Sequence, residues 1–155
     1  DVIQALTAID IPVMGHIGLT PQTAGQLGGF RVQGKDLEAA RRLIAEARAL
    51  EEAGAFALTI ECVPAGLAEV ISSSLAIPTI GIGAGVHCDG QVLVGHDMLG
   101  MFEKFQPKFV KQYAVLAPQI KAAVAGYNSE VRNGSYPGTE HSFADSFDYR
   151  RLLAE

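Results

Sequence analysis

The chain has 155 residues, 48% hydrophobic and 19% charged, which is typical of one globular domain and excludes a disordered segment. Its net charge of −5 at pH 7 and its lack of a basic block argue against a nucleic-acid partner and an anionic membrane surface. No apolar run reaches the roughly 18 residues of a membrane span, and no signal peptide is evident. The two cysteines are far apart in the sequence, which favours a reducing, cytoplasmic location.

The first third of the chain predicts a helix, a strand and a second helix. Residues 2–8 are expected to end a helix, and residues 11–19 to form a strand that runs into a long loop at residues 20–35. Asp36 is predicted to cap the next helix because its side chain can accept a hydrogen bond from the first turn. Apolar residues then recur at helical spacing as far as Gly54, a typical C-terminal glycine.

Three further strands are predicted beyond that helix. Residues 56–63 are almost continuously apolar, which indicates a strand buried on both faces. After a short helix at residues 65–74, residues 78–85 are predicted to form a strand that enters a glycine-rich turn, and residues 91–97 a fourth strand. Alternating strands and helices of this kind favour an α/β fold with a parallel sheet.

A long helix and an irregular tail are predicted to complete the chain. The helix is expected to begin near Pro107, since proline suits a first turn, and to run to Val131 with a kink at Pro118. Four strands make about half of a (β/α)8 barrel, which has about 250 residues. The open edges of such a sheet need partners, so we expect strands from an upstream segment or a separate chain.

Four candidate positions for chemistry lie at the carboxyl ends of the predicted strands, where (β/α)8 barrels place their reactive groups. Glu61 is the first, because a carboxylate in an apolar strand is unfavourable unless it is paired, protonated or bound to a metal. Desolvation would raise its pKa and make it a useful base near neutral pH. A structural glutamate bonded to backbone or to an arginine is the alternative.

Histidines provide two more of these positions. His16 lies between Gly15 and Gly18, whose small size lets a ligand or a second chain approach the backbone; a hydrogen-bonded structural histidine is the alternative. His96 and Asp97 follow the fourth predicted strand. They suggest either an oriented histidine for acid–base work or a pair that caps a turn.

The glycine-rich turn at residues 81–85 is the fourth position. Its backbone N–H groups could face an anion, with Gly83 and Gly85 at the rim, although a tight turn that needs positive φ explains the glycines equally well. The pattern is not a dinucleotide-binding fingerprint. His87, Cys88 and Asp89 invite a metal interpretation, but adjacent side chains rarely converge on one ion, and we reject it.

Several separate runs of the sequence resemble the ketopantoate hydroxymethyltransferase family in order and spacing. The runs are residues 12–22, 27–34, 61–64, 80–85, 89–97, 107–109 and 136–143. The resemblance covers nearly the whole chain. It implies that residues 1–132 are the second half, strands 5–8, of a TIM (β/α)8 barrel, and that residues 133–155 are an irregular tail that packs on the barrel or on a neighbouring subunit.

The resemblance also implies an activity. The family transfers a hydroxymethyl group from 5,10-methylenetetrahydrofolate to 3-methyl-2-oxobutanoate, giving 2-dehydropantoate for pantothenate synthesis, with Mg²⁺ polarising the keto acid. Glu61 matches the family's proton acceptor, and His16 matches the histidine beside the keto acid. The metal ligands lie upstream of Asp1 in the family, so we expect none in this chain and no activity from this chain alone. A homo-oligomer, specifically a decamer, is also implied.

Two other functions remain possible interpretations of the sequence. One is a different barrel enzyme that performs metal-enolate chemistry of the lyase or mutase type, against which the run from Gly15 to Gln22 argues. The other is a noncatalytic half-barrel that serves as an assembly piece.

Overall fold

A computed structural model describes residues 1–20 and 31–153 and places a parallel sheet of four strands in the order β1-β2-β3-β4. The strands are β1 (Met14–Gly18), β2 (Ala57–Glu61), β3 (Thr79–Ile82) and β4 (Gly90–Gln91). The helices are α1 (Val2–Thr7), α2 (Leu37–Glu52), α3 (Ala65–Ser74), α4 (Gly95–Met98) and α5 (Ala117–Asn133). The predicted α/β class and parallel sheet are confirmed. Most of the predicted loop at residues 20–35 lies outside the described residues.

Both ends of α2 form as the sequence predicts. The Asp36 carboxylate accepts a hydrogen bond from the backbone N–H of Ala39 at 2.8 Å, which satisfies one of the free donors of the first turn. Beyond the last turn, Gly54 adopts a φ of +93°, the left-handed conformation that glycine enters without steric strain. The capped helix therefore presents Leu43 and Ala47 to the sheet in a fixed register.

The hydrophobic core lies between one face of the sheet and helices α2 and α3. Side chains alternate between the two faces of a strand, so Ile17, Leu58 and Ile60 point together toward the helices. Leu58 and Ile60 are fully buried, and burial of such a side chain contributes about 1.5–3 kcal/mol. This core fixes the sheet on its helices and leaves the other face for chemistry.

The opposite face of the sheet carries Met14 and His16 from β1 and Thr59 and Glu61 from β2. It is only partly covered among the described residues: 43% of Met14 is exposed, and Thr59 is half-buried. Parallel sheets normally bury both faces. The prediction that the second strand is buried on both faces is therefore met on the helix side only.

The fourth predicted strand, residues 91–97, is wrong in most of its length. Only Gly90 and Gln91 pair with β3, and one further bond joins the Val92 N–H to the carbonyl of Gly81. The backbone then turns into α4, where the N–H groups of Asp97 and Met98 both donate to Val94. A strand at the edge of the described sheet has no neighbour on its other side to hold it extended.

The predicted long helix from Pro107 to Val131 is also wrong in its first part. Helix α5 begins only at Ala117, and Pro118 lies in its first turn, where its missing N–H is tolerated, so it starts the helix instead of kinking it. Before Ala117, the chain is held by bonds from the N–H groups of Tyr113 and Leu116 to carbonyls of Met98 and Leu99. These bonds use donors that a helix would have needed.

The tail after α5 contains two short 3-10 helices, Thr139–His141 and Tyr149–Leu153. Near its start, the Tyr136 ring packs edge-on against Tyr127 of α5 at 5.5 Å and lies 5.2 Å from the His141 ring. These contacts tie the beginning of the tail to the last helix.

No helix in the described part of the chain is long and apolar enough to cross a membrane.

A hydrogen-bonded clamp joins the starts of β3 and β4. One carboxylate oxygen of Asp89 accepts from the buried backbone N–H of Thr79 at 2.7 Å and from its hydroxyl at 2.9 Å. The same hydroxyl lies 2.8 Å from that of Ser72 on α3. The bonds from Thr79 hold the pKa of Asp89 below its usual range.

The lowered pKa makes the clamp sensitive to acid. The ionised Asp89 binds its donors best in the folded state, so its contribution is complete above the usual aspartate pKa and is lost as the pH falls through the folded-state pKa. We therefore expect Asp89→Ala to lower the free energy of unfolding at neutral pH and to converge with the wild type in acid. Urea denaturation at stepped pH measures this, with Asp145→Ala in the exposed tail as control. If the difference in free energy of unfolding between Asp89→Ala and the wild type stayed constant with pH, this would contradict the clamp.

Candidate active site

The structure brings His16 and Glu61 together at the carboxyl end of β1 and β2. The parallel register pairs Gly18 with Glu61, which places both side chains on the face opposite the helices. His16 Nε2 lies 3.5 Å from Glu61 Oε2, and the two side chains are 35% and 16% exposed. A histidine and a half-buried carboxylate therefore meet at the edge of the sheet where the sequence predicts chemistry.

The backbone of Leu19 bridges these two residues. Its N–H donates to the backbone carbonyl of Glu61 at 2.9 Å, and its carbonyl lies 2.8 Å from His16 Nε2. Because a carbonyl only accepts hydrogen bonds, Nε2 carries a hydrogen and neutral His16 is the Nε2–H tautomer. The sequence gives no signal for this bridge, since it uses only backbone atoms of an apolar residue.

Gly18 makes the bridge possible. It has a φ of +93°, and a Cβ at this position would collide with the carbonyl oxygen of Glu61. Gly15 has a different place: a Cβ there would lie 3.0 Å from Leu58 and 3.1 Å from Leu50, on the helix side of the sheet. Of the two glycines that flank His16, Gly18 supports the site directly and Gly15 supports the packing behind it.

Burial and charge act on Glu61 in opposite directions. Burial raises the pKa of the Glu61 carboxyl, and the nearby His16 partly offsets this by lowering it. The net pKa is raised, as the sequence predicts for a carboxylate in an apolar strand. A higher pKa makes the ionised carboxylate a stronger base while His16 helps to keep it ionised.

Cys62 holds the strand end directly after Glu61. Its φ of +51° is unusual for a residue with a side chain, and two hydrogen bonds maintain it: its N–H donates to Ile82 and its carbonyl accepts from Gln33. Its buried side chain packs against Leu19. Burial and the charge of Glu61 both raise the pKa of the thiol. The backbone turn at Cys62 ends β2 directly after Glu61 and so fixes the position of the Glu61 side chain.

The glycine-rich turn adjoins this site because Ile82, the last residue of β3, pairs with Glu61. Gly83 and Gly85 have φ values of +63° and +80°, the positive φ that the tight-turn interpretation requires, while the anion interpretation stays a prediction. The Phe109 ring lies over Gly83, where an added Cβ would be 2.7 Å from the ring. The glycines thus allow an aromatic side chain to approach the rim.

His96 and Asp97 lie on α4 and not at a strand end, because residues 92–94 leave the sheet early. His96 is exposed and Asp97 is half-buried. Among the described residues, no hydrogen bond or ion pair connects either side chain to His16 or Glu61. The structure therefore unites two of the four predicted positions, with the glycine turn next to them.

The chain matches the ketopantoate hydroxymethyltransferase family over residues 1–139. It belongs to this family. It is 61% identical over 153 residues to the 3-methyl-2-oxobutanoate hydroxymethyltransferase of Desulfotalea psychrophila, covering 99% of this chain and 55% of that protein. The enzyme of the same name from Enterococcus faecalis is 57% identical over 153 residues, covering 99% of this chain and 56% of that protein.

A third relative shows the same relation of lengths. The 3-methyl-2-oxobutanoate hydroxymethyltransferase of Heliobacterium modesticaldum is 63% identical over 141 residues, which are 91% of this chain and 51% of that protein. The chain thus spans about half the length of the curated relatives it matches. The resemblance that the sequence motifs predict is confirmed as family membership.

In this ketopantoate hydroxymethyltransferase family member, the described residues do not fit a metal site on their own. No group of three or more His, Cys, Asp or Glu side chains is placed to hold an ion within residues 1–20 and 31–153. His16 and Glu61 supply two donors, whereas Mg²⁺ takes an octahedral set of oxygens. The Asp89 carboxylate accepts hydrogen bonds from the backbone N–H and the hydroxyl of Thr79.

The raised pKa of Glu61 predicts a gain in stability when the carboxyl is replaced. The folded state binds the Glu61 proton more tightly than the unfolded state, so stability is complete below the usual glutamate pKa and is lost as the pH rises through the folded-state pKa. We expect Glu61→Gln, which cannot ionise, to unfold at higher urea than the wild type at neutral pH, and the difference to close in acid.

Glu69→Gln is the matched control, because Glu69 on α3 also lies near a histidine, 3.8 Å from His87, but both side chains are well exposed. It should change stability little at any pH. A Glu61→Gln variant that is less stable than the wild type at neutral pH would contradict the assignment of a desolvated carboxylate.

Proposed function

We propose that this chain is the C-terminal half of a 3-methyl-2-oxobutanoate hydroxymethyltransferase and that Glu61 is its base. The observation that carries the proposal is the half-buried Glu61 carboxylate, with a raised pKa and with His16 at 3.5 Å, in a chain of this family. Perturbed carboxylates of this kind cluster at functional sites. The names of the relatives supply the substrate, 3-methyl-2-oxobutanoate, and the group transferred.

The proposed architecture is the second half, strands 5–8, of a TIM (β/α)8 barrel, with residues 1–132 in the barrel and residues 133–155 as the tail. Three features support it: helices cover one face of the sheet, the opposite face is partly open, and the relatives are about twice as long. In a closed barrel the open face becomes the interior, and β1 and β4 pair with strands of the other half.

The chemistry that the residues support is proton abstraction beside a carbonyl. Glu61 takes the hydrogen from C3 of the keto acid, and the electron pair of that bond moves into the C2 ketone to form an enolate. C3 then attacks the methylene carbon carried by 5,10-methylenetetrahydrofolate. The new C–C bond forms and both bonds from that carbon to the carrier nitrogens break. Water supplies the hydroxyl group, and the C3 proton and the second proton of the water end on the two nitrogens.

His16 has a supporting part in this proposal. Its Nε2–H donates to the Leu19 carbonyl, and Nε2 lies 3.5 Å from Glu61 Oε2, where positive charge on the ring favours the ionised carboxylate. Desolvation acts the other way and makes the carboxylate a stronger base. Gly18 supports both residues through the bridge, and Gly83 and Gly85 shape the neighbouring rim. Among the described residues, no hydrogen bond or ion pair links the side chains of His96 or Asp97 to Glu61 or His16.

Mg²⁺ and methylenetetrahydrofolate complete the proposal as cofactor and co-substrate. Since the described residues do not fit a cation, we place the Mg²⁺ ligands in the other half of the protein and assign no step to the metal here. The proposal includes a cytoplasmic homo-oligomer, specifically a decamer. Exposed apolar residues on α5 and in the tail, among them Val124, Phe143 and Leu153, are consistent with further contacts.

Replacing Glu61 in the complete protein tests its role as base. Glu61→Gln keeps the size of the side chain but cannot accept the proton, so turnover should fall by roughly 100-fold to 10,000-fold. Mg²⁺ binding, measured by titration calorimetry, should stay nearly unchanged. Glu69→Gln, the control at an exposed Glu–His pair, should keep wild-type turnover. An unchanged rate for Glu61→Gln would refute the assignment.

The dependence on a second half predicts that this chain alone is inactive. A sample whose intact mass shows only these 155 residues should give no product from 3-methyl-2-oxobutanoate and methylenetetrahydrofolate with Mg²⁺ present. Co-expression with the remaining half of the protein should restore turnover, and light scattering should report the assembly size. Turnover by the isolated chain would show that the proposed division of the site is wrong.

A further inference from the structure

We propose that the side chains of Leu19 and Cys62 form a positioning pair, which holds His16 and Glu61 in the geometry that proton abstraction needs. Leu19 is 1% exposed and Cys62 is 9% exposed, and the two side chains pack together in a cluster separate from the core between the sheet and its helices. The inference rests on the proposed function and adds to it two residues that act through the base.

The Leu19 side chain is connected to the site through its own backbone. The Leu19 N–H donates to the Glu61 carbonyl at 2.9 Å, and the Leu19 carbonyl accepts from His16 Nε2 at 2.8 Å. These backbone groups are present with any side chain at position 19. Their positions, however, depend on a side chain that fills the space against Cys62, because the chain around a buried cavity shifts toward it.

Cys62 provides a fixed surface for Leu19 to pack against. It directly follows Glu61 and has a φ of +51°, which a residue with a side chain keeps only where its surroundings hold it. Its N–H donates to the Ile82 carbonyl at 2.9 Å, and its carbonyl accepts from the Gln33 N–H at 2.8 Å. Bonds on both sides of the residue therefore fix the Cys62 backbone, and with it the direction of the side chain.

The His16–Glu61 pair needs this outside support. The His16 and Glu61 side chains come from different strands, and the 3.5 Å between Nε2 and Oε2 is too long for a strong hydrogen bond. The bond to Leu19 is the shorter one, so Leu19 decides where the ring lies beside the carboxylate. Leu19 and Cys62 are already buried in this chain, so their contact does not depend on what covers the open face of the sheet.

Truncation of Leu19 in the complete protein tests the inference. Because a displacement of about 1 Å at a reacting group lowers a rate about 100-fold, Leu19→Ala should reduce kcat roughly 10-fold to 100-fold. The KM for 3-methyl-2-oxobutanoate should stay nearly unchanged, since the pair positions the base and does not bind the keto acid. Leu19→Met keeps the volume of the side chain and should restore kcat to within about threefold of the wild type.

Leu43→Ala is the matched control, because it makes the same truncation at a buried leucine on α2, on the helix side of the sheet. Both alanine variants should unfold at lower urea than the wild type. Only Leu19→Ala should lose turnover, and Leu43→Ala should keep kcat within about twofold of the wild type. A general loss of stability would affect the two variants alike.

A double-mutant cycle with Glu61→Gln shows whether Leu19 acts through the base. Once the carboxylate is gone, Leu19→Ala should change the residual turnover by less than about twofold. Cys62→Ala removes only the sulfur atom from the pair. It should lower kcat about threefold, with little further loss when combined with Leu19→Ala.

Two results would overturn the inference and leave the proposed function intact. One is wild-type kcat in Leu19→Ala, and the other is an equal loss of turnover with and without the Glu61 carboxylate. If Leu19→Ala does not fold, Cys62→Ala decides by the same two criteria. Wild-type turnover by Glu61→Gln would instead overturn the proposed function, and the inference with it.

Discussion

The backbone of Leu19 holds together the ends of β1 and β2, and the candidate site depends on it. Its N–H binds the backbone of Glu61 and its carbonyl binds the ring of His16, so the two peptide groups that meet at the Leu19 Cα hold both residues. The bridge exists only because Gly18 has no Cβ to collide with Glu61. Backbone geometry, more than direct attraction between the two side chains at 3.5 Å, therefore sets their arrangement.

The sheet explains why the site lies where it does. Helices α2 and α3 bury Ile17, Leu58 and Ile60 on one face, and the strict alternation of side chains then directs His16 and Glu61 to the other. A half-covered sheet is a poor environment for parallel strands, which need apolar contacts on both faces. In the proposed barrel, the open face that receives the substrate would also be covered and stabilised by the other half.

Much of the fold and the central pair of the site could be predicted from the sequence. Asp36, Gly54 and the apolar stripe between them define α2, and Glu61 is conspicuous because nothing else in its strand is charged. The strand predicted at residues 91–97 and the helix predicted from Pro107 could not be corrected from local pattern. The first segment turns into α4 through bonds to the Val94 carbonyl, at a sheet edge with no described neighbour. In the second, bonds from Tyr113 and Leu116 to Met98 and Leu99 decide the backbone, and those partners are distant in sequence. The Leu19 bridge could not be predicted from the sequence either, because the backbone N–H and carbonyl that form it do not depend on the identity of the Leu19 side chain.

The setting of Cys62 has a consequence for chemical selectivity. In the proposed reaction the methylene donor is an electrophile, and a thiolate next to Glu61 would compete with the enolate for its carbon. Burial and the negative charge of Glu61 both raise the pKa of Cys62, which keeps the sulfur as an unreactive thiol. In the proposed reaction, the charge of Glu61 would therefore also disfavour the thiolate of the adjacent Cys62, and this would favour attack on the carbon by the enolate.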